Sequence, residues 1–309
     1  MKVSISILTY NRSKILKELL ESLEKISYSS LEIIVVDNNS SDETEEIVKT
    51  QFSKVKYFKT PKNIGVAARN KGISEASGDI VITLDDDIIG IDDFDIKKLV
   101  ELFESKPDVG AVCFKIVDYD TGEVCNWCHH YKKEEFCDRE FLTDEITEGA
   151  VAFRKSALDR SGLYPAYFFI SYEGSDLLVR MLDAGYKTIY SPQICVRHRT
   201  AQEGRKNWRR YYYDSRNQIW MVARNYPFHL GLKYLIRGLT AMLFYSIRDG
   251  FLIYWAKGIC DGFKGLPKVL QDRKTFSKET KKTLKEISSK RPNLGYMIRR
   301  RMFSREVRL

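Results

Sequence analysis

Residues 79–92 read DIVITLDDDIIGID, a run of apolar and β-branched residues that ends in three consecutive carboxylates, Asp85, Asp86 and Asp87. A short apolar run of this kind is a buried strand. Three like charges at its end repel one another, so the cluster either gathers a cation or is a fully solvated turn. Asp85 and Asp87 are two residues apart, and a turn just after the strand can converge them on one ion. Hard divalent cations such as Mg2+ and Mn2+ take carboxylate oxygens and share substrate phosphates.

Outward from this strand the chain alternates strand and helix patterns. VSISILTY (3–10) reads as a strand, and the following helix places Ile15, Leu19, Leu20 and Leu23 on one face. LEIIVVD (31–37) is a second buried strand, and SSDETEEIVKT opens a helix with Ser41 or Asp42 at its N-cap. The alternation continues through VKYFKT, a helix around 95–105 and VGAVCFKIV, and it predicts an α/β fold with a mostly parallel sheet flanked by helices. Two successive strands end in acid, at Asp37 and Asp85. In open parallel sheets ligands bind beyond the carboxyl ends of the strands, where both acids lie.

The chain has 309 residues and a formal net charge of +9, unevenly distributed. Residues 1–196 carry 24 Lys and Arg against 34 Asp and Glu, whereas residues 197–309 carry 27 against 8. We expect an acidic catalytic domain over 1–199 and a basic, aromatic-rich helical appendage over 200–309. The opening MKVSISILTYNRS has no apolar segment followed by a cleavage site, which implies a cytoplasmic chain with its six cysteines reduced. From Phe228 to Leu266 aromatic and aliphatic residues are interrupted by Lys233, Arg237, Arg248, Lys257 and Lys264, so no run is long enough to span a bilayer. That mixture suits peripheral attachment to an anionic membrane surface on the cytoplasmic face. The alternatives are packing on the catalytic domain or on a second copy of the chain, as a homo-oligomer. Nucleic acid is not an expected partner, because the basic half has no recognisable nucleic-acid-binding motif.

An ordered set of motifs resembles the inverting family-2 glycosyltransferases with the GT-A fold, in particular rhamnosyltransferase-like members: SILTYNR, IIVVDNNSSDET, NIGVAARNKGISEASGDIVITLDDD, EGAVAFRKSAL, FFISYEGSDLLVRMLDAGYK and VRH. Together they cover about residues 3–199. The resemblance implies a nucleotide-diphosphate-sugar donor, a divalent cation (Mn2+ or Mg2+) and a glycan or polyprenyl-linked acceptor. It implies that Asp37 contacts the nucleoside, that Asp85 and Asp87 form the metal-binding pair, and that Asp86 faces the sugar or ribose. Thr9, Tyr10 and Asn11 match the first nucleotide-contacting loop, and Asn63, Gly65 and Arg69 match the segment lining the donor pocket. His198 matches a histidine that completes the metal shell or meets the diphosphate. Processive members carry a Q-x-x-R-W motif, whereas Gln218 is followed by IWMV, which implies transfer of one or a few sugars.

Displacing a nucleoside diphosphate requires stabilised negative charge and a base that takes the acceptor proton. Glu173, at the start of a predicted helix whose dipole would keep it ionised, is the candidate base, with Asp176 in reserve and paired to Arg180. The family commonly has an acidic pair here, but the chain reads Glu173, Gly174, Ser175, Asp176, which lacks the second acid. CNWCHHYKKEEFC (125–137) offers Cys125, Cys128 and Cys137 as possible zinc ligands, and Trp127, His129 and Tyr131 as acceptor contacts. Two other classes of function remain: a nucleotidyltransferase, for which LTYNRSK lacks the glycine-rich basic loop, and a non-catalytic membrane scaffold.

Overall fold

The computed structural model describes residues 1–199, 208–289, 291–293 and 296. The basic tail beyond residue 296 lies outside them. The first half builds one sheet in the order β3-β2-β1-β4-β8-β6-β9-β5, with β7 on β9. Strands β1 (Val3–Thr9), β2 (Leu31–Asp37), β3 (Lys56–Lys59) and β4 (Ile80–Asp85) pair in parallel, as the alternation predicts. Strand β8 (Ala150–Arg154) then inserts antiparallel between β4 and β6 (Val109–Asp118), which makes the sheet mixed. β9 (Lys187–His198) runs parallel to β6, and the short β5 (Ile88–Ile89) and β7 (Phe141–Leu142) add antiparallel edges to it.

These pairings decide where the chemistry collects. β1, β2 and β4 all end at one edge of the sheet, which brings Thr9, Asp37 and Asp85 to a common rim. β8 runs the other way, with Ala150 opposite Leu84, so the residues that precede it, Glu148 and Gly149, meet the end of β4. β5 pairs Ile88 with His198, which delivers that histidine beside Asp87.

Helices α1 (Ser13–Leu23), α2 (Thr44–Gln51), α3 (Arg69–Glu75) and α4 (Asp93–Ser105) flank the sheet, with a short 3-10 turn at Gly65–Ala68 leading into α3. α1 buries Leu16, Leu19, Leu20 and Leu23; Leu16 takes the core position that periodicity gave to Ile15. α2 starts at Thr44, one residue later than an Asp42 cap would put it, while the Asp42 carboxylate accepts from Thr44 N at 3.2 Å. α4 has a capping box between Asp92 and Asp95. After α5 (Lys133–Phe136) and α6 (Lys155–Ser161), helix α7 (Glu173–Asp183) closes the domain.

The remaining helices, α8 (Trp208–Asn225), α9 (Phe228–Arg248), α10 (Leu252–Gln271) and α11 (Lys278–Ser289), follow the expected helical pattern. α10 approaches α8 closely because Gly258, Gly262 and Gly265 face Tyr212, Ile219 and Trp220, where a Cβ would collide. Trp220 Nε1 donates to the Gly262 carbonyl at 2.8 Å. α8 is also tied to α7: the fully buried Asp176 accepts from Arg180 Nε at 2.8 Å, Arg224 at 2.5 Å and Asn225 Nδ2 at 2.6 Å. Asn217 Nδ2 binds the carbonyls of Phe168, Ile170 and Ser171, in the segment that leads into α7.

Removing one partner of a buried ion pair leaves the others unneutralised. Asp176→Ala, which strands Arg180 and Arg224 together, should cost about 3–5 kcal/mol. Chemical denaturation should show this as a lower midpoint with an unchanged slope.

Candidate active site

The three carboxylates at the end of β4 are each met by a cation. Asp85, half exposed, forms an ion pair with Arg69, a residue 3% exposed that also donates to the Leu84 carbonyl at 3.3 Å. Asp86 and Asp87 share the Arg12 guanidinium, at 2.9 and 2.7 Å. Asp86 takes a further bond from Thr9 Oγ1 at 2.8 Å, so both of its oxygens are engaged inside the protein. His198 Nε2 lies 3.6 Å from Asp87 Oδ2, and His198 Nδ1 is 3.1 Å from Asn126 Nδ2.

Burial works on these groups in opposite directions. It pushes Asp86 up to about 6 despite the pull of Arg12. Burial would raise Asp87 as well, but His198 and Arg12 outweigh it and hold the carboxyl below its usual range. For His198 burial opposes the charge, and the bond to Asp87 more than offsets it, pushing the imidazole up to about 9. Asp87 Oδ1 is buried with no hydrogen-bond partner. An orphaned carboxylate oxygen, a half-exposed carboxylate two residues away in the chain and an imidazole that becomes a donor on losing its proton are groups that suit a hard divalent cation.

Asp37, fully buried at the end of β2, accepts from Tyr57 Oη at 2.5 Å and from Ser40 N at 2.7 Å. Asn11 has a left-handed backbone (φ 54°), and its side-chain oxygen receives Ser41 N at 2.8 Å, so it shapes the loop after Asp37. Tyr10 is exposed beside it. Asn63 Oδ1 receives Asn38 Nδ2 at 3.1 Å and Gly65 N at 3.0 Å. Gly65 (φ 67°) lies where a Cβ would strike the Phe169 carbonyl, which accepts from Val66 N at 2.7 Å. Thr9, Asp86, Asp87 and His198 therefore form one cluster around Arg12, and Asp85 pairs separately with Arg69 at the same strand end. Asn11, Asn63 and Gly65 build the loops around it.

Two expectations need correction. Both oxygens of Asp176 are consumed by Arg180, Arg224 and Asn225 at zero exposure, so it holds α7 to α8 and is not available as a base. Glu173 is buried, with one carboxylate oxygen lacking a partner; burial and the nearby Glu148 push it well above the usual carboxylate range. Desolvation thus outweighs the helix dipole and makes Glu173 hold a proton more tightly than its place at a helix start suggests.

The 125–137 segment also departs from expectation. His129 and Tyr131 are buried in an aromatic cluster with Phe141 and Tyr190, which removes them from acceptor contact. Trp127, partly buried, packs in the same cluster and donates Nε1 to the Tyr131 carbonyl at 2.9 Å. Cys125, Cys128 and Cys137 do not converge on a metal-sized space; nearby, the ligand atoms of His130, Asp144 and Glu145 lie within 4.8 Å of one another, but there Arg291 already pairs with Asp144. Arg12 and Tyr57 carry clear roles that the sequence reading left out, although Arg12 directly follows the matched Thr9–Asn11 loop.

Residues 4–162 match the family described as Glycosyl transferase family 2. The chain is 26% identical over 226 residues (69% of this chain, 71% of the relative) to the O-antigen chain rhamnosyltransferase RfbN of Salmonella typhimurium. It is 36% identical over 91 residues to the GalNAc(5)-diNAcBac-PP-undecaprenol beta-1,3-glucosyltransferase of Campylobacter jejuni, a match spanning 28% of this chain and 29% of the relative. The mannosyltransferase PcManGT from Pyrobaculum calidifontis, solved with GDP-Man and Mn2+, superposes with a TM-score of 0.55 at 20% identity, over 96% of this chain and 78% of that one. The fold is of the GT-A type.

Tyr57→Phe removes the hydroxyl on buried Asp37 and should destabilise the chain by about 1–3 kcal/mol, the cost of leaving a buried acceptor unpaired. Equilibrium urea unfolding reads this directly.

Proposed function

The chain belongs to glycosyl transferase family 2 and is a glycosyltransferase, and from that premise we propose a metal-dependent, inverting sugar transfer. The donor is a nucleotide-diphosphate sugar, and the acceptor is a hydroxyl of a glycan or lipid-linked saccharide in cell-surface polysaccharide or glycoconjugate assembly. The observation that carries this reading is the set of three carboxylates at the end of β4, compensated by Arg12 and Arg69 and retaining an orphaned Asp87 oxygen.

Asp85, Asp87 and His198 would hold Mn2+ or Mg2+. Bound there, the cation supplies positive charge to the leaving diphosphate. Thr9, Tyr10 and Asn11, with Asp37 and the Asn63–Gly65 turn, bind the nucleoside, and Asp86 and Arg69 border the sugar. The proton of the acceptor hydroxyl passes to the buried acid pair beside Asp85, of which Glu173 is the member read from the sequence. Mannosyl-, rhamnosyl- and glucosyltransferase names among the similar proteins support a hexose or deoxyhexose donor.

The appendage supports peripheral attachment to an anionic membrane surface. No helix of the described residues is long and apolar enough to cross a membrane. α9 nevertheless exposes Phe228, Leu232, Ile236, Phe244 and Ile247, and α10 exposes Leu252, Ile253 and Phe263. Lys233, Arg237, Lys257 and Lys264 are exposed on the same helices. Apolar side chains interspersed with basic ones fit an interface between acyl chains and anionic headgroups. A lipid-linked acceptor at the cytoplasmic face would then be presented to the site; the undecaprenol-linked substrate named for the Campylobacter relative favours that source.

Two measurements test the proposal. A thermal-shift screen of UDP-, GDP-, dTDP- and CMP-sugars with Mn2+ should show one nucleotide class raising the melting temperature, with the effect lost in Asp87→Ala or after EDTA. A metal-independent shift would contradict the cation's role. In vesicle flotation the chain should rise with anionic vesicles and remain behind with zwitterionic ones; failure to float with either would remove the membrane reading.

A further inference from the structure

Gly174 leaves room for another residue. A Cβ at this position would collide with Glu148 Oε1, so the Glu148 carboxylate fills the space that a side chain at the start of α7 would take. Both Glu148 oxygens are buried, and neither accepts a hydrogen bond of ordinary geometry. Arg69 and the Tyr164 hydroxyl approach it, but burial outweighs them, and a buried carboxylate so weakly satisfied is costly and persists where something other than stability retains it. Its chain neighbour Gly149 (φ 77°) packs directly on Asp85: Asp85 N donates to the Gly149 carbonyl at 2.9 Å, and a Cβ on Gly149 would strike the Asp85 carboxylate. The antiparallel run of β8 therefore sets Glu148 at the carboxyl end of β4, while Glu173 belongs to α7 behind it.

We propose that Glu148 is the general base that takes the proton of the acceptor hydroxyl, in the place that Gly174 keeps open. The inference rests on the transferase reading given above. In the step, the acceptor O–H bond breaks and its proton passes to the Glu148 carboxylate. The acceptor oxygen forms a bond to the anomeric carbon, and the electron pair of the anomeric C–O bond leaves with the nucleoside diphosphate. Burial raises the proton affinity of both acids, Glu148 raises that of Glu173 further, and Arg69 opposes the rise at each, so Glu148 keeps the nearer balance between its protonated and ionised forms.

The test uses the full chain, the donor selected by thermal shift with Mn2+, and membrane extract as acceptor. Glu148→Gln replaces a buried carboxyl whose ionisation burial disfavours with a neutral isostere and should fold as stably as the parent. It should keep the donor-induced thermal shift and lower turnover by about 10²–10⁴-fold. Glu173→Gln should lower turnover by less than about tenfold. Because the space is shared, adding Gly174→Asp to Glu148→Ala should restore at least about tenfold of the turnover lost by Glu148→Ala alone, which a purely structural role for Glu148 would not produce. If Glu148→Gln turns over within about threefold of the parent, or loses donor binding in proportion to turnover, the assignment is overturned. A parent chain that turns over no donor fails one step earlier and overturns the transferase reading, and this inference with it.

Discussion

Three carboxylates in succession at the end of one buried strand must be neutralised for the strand to end where it does. Asp85 is met by Arg69, and Asp86 and Asp87 by Arg12, with His198 against Asp87. Each counter-charge comes from a different part of the chain: the loop after β1, the start of α3 and the last residue of β9. At effective dielectric constants suited to partly buried sites, a contact pair of unit charges contributes a few kcal/mol before desolvation is counted. The site and the arrangement of the sheet around it are thus one problem. β1 pairs with β4 and leads into Arg12, and the antiparallel pairing of β5 with β9 brings His198 to this edge.

A second buried charge cluster joins the two halves of the molecule. Asp176 on α7 is shared by Arg180 of the same helix and by Arg224 and Asn225 of α8. Asn217 of α8 holds the backbone before α7, where Phe169, Ser171 and Tyr172 all adopt left-handed conformations. Side-chain-bearing residues enter that region only when surrounding contacts compensate, and here the compensation comes from the basic half. An appendage exposing a broad apolar and basic face is thereby in contact with the segment that introduces the acid pair. The placement of the basic appendage and the geometry at the start of α7 therefore share one set of hydrogen bonds.

Much of this was legible in the sequence. The parallel strands, the acids at their ends and the Asp176–Arg180 pair all follow from local pattern, which periodicity and i, i+4 spacing report well. The antiparallel insertion of β8 was not readable, because a short apolar strand carries no mark of its direction. That one omission hid Glu148, whose proximity to Asp85 exists only through the strand reversal. Arg12 lay beside a recognised motif, but its partners are more than 70 residues away. The misreading of Glu173 has a different source. A helix N-terminus suggests an ionised acid, but the degree of burial, set by tertiary packing, decides the proton's affinity. His129 and Tyr131 failed for the same reason, since polar aromatics in a loop resemble contact residues until an aromatic cluster encloses them.

The account stands on the β4 edge being a site where a sugar nucleotide is consumed, and the most direct measurement is release of nucleoside diphosphate from a panel of sugar nucleotides, with membrane extract as acceptor, in the presence and absence of Mn2+. The account predicts release from one nucleotide class, dependent on both metal and acceptor. A folded chain that releases nucleoside diphosphate from none of them, or releases it equally well without metal, would contradict it.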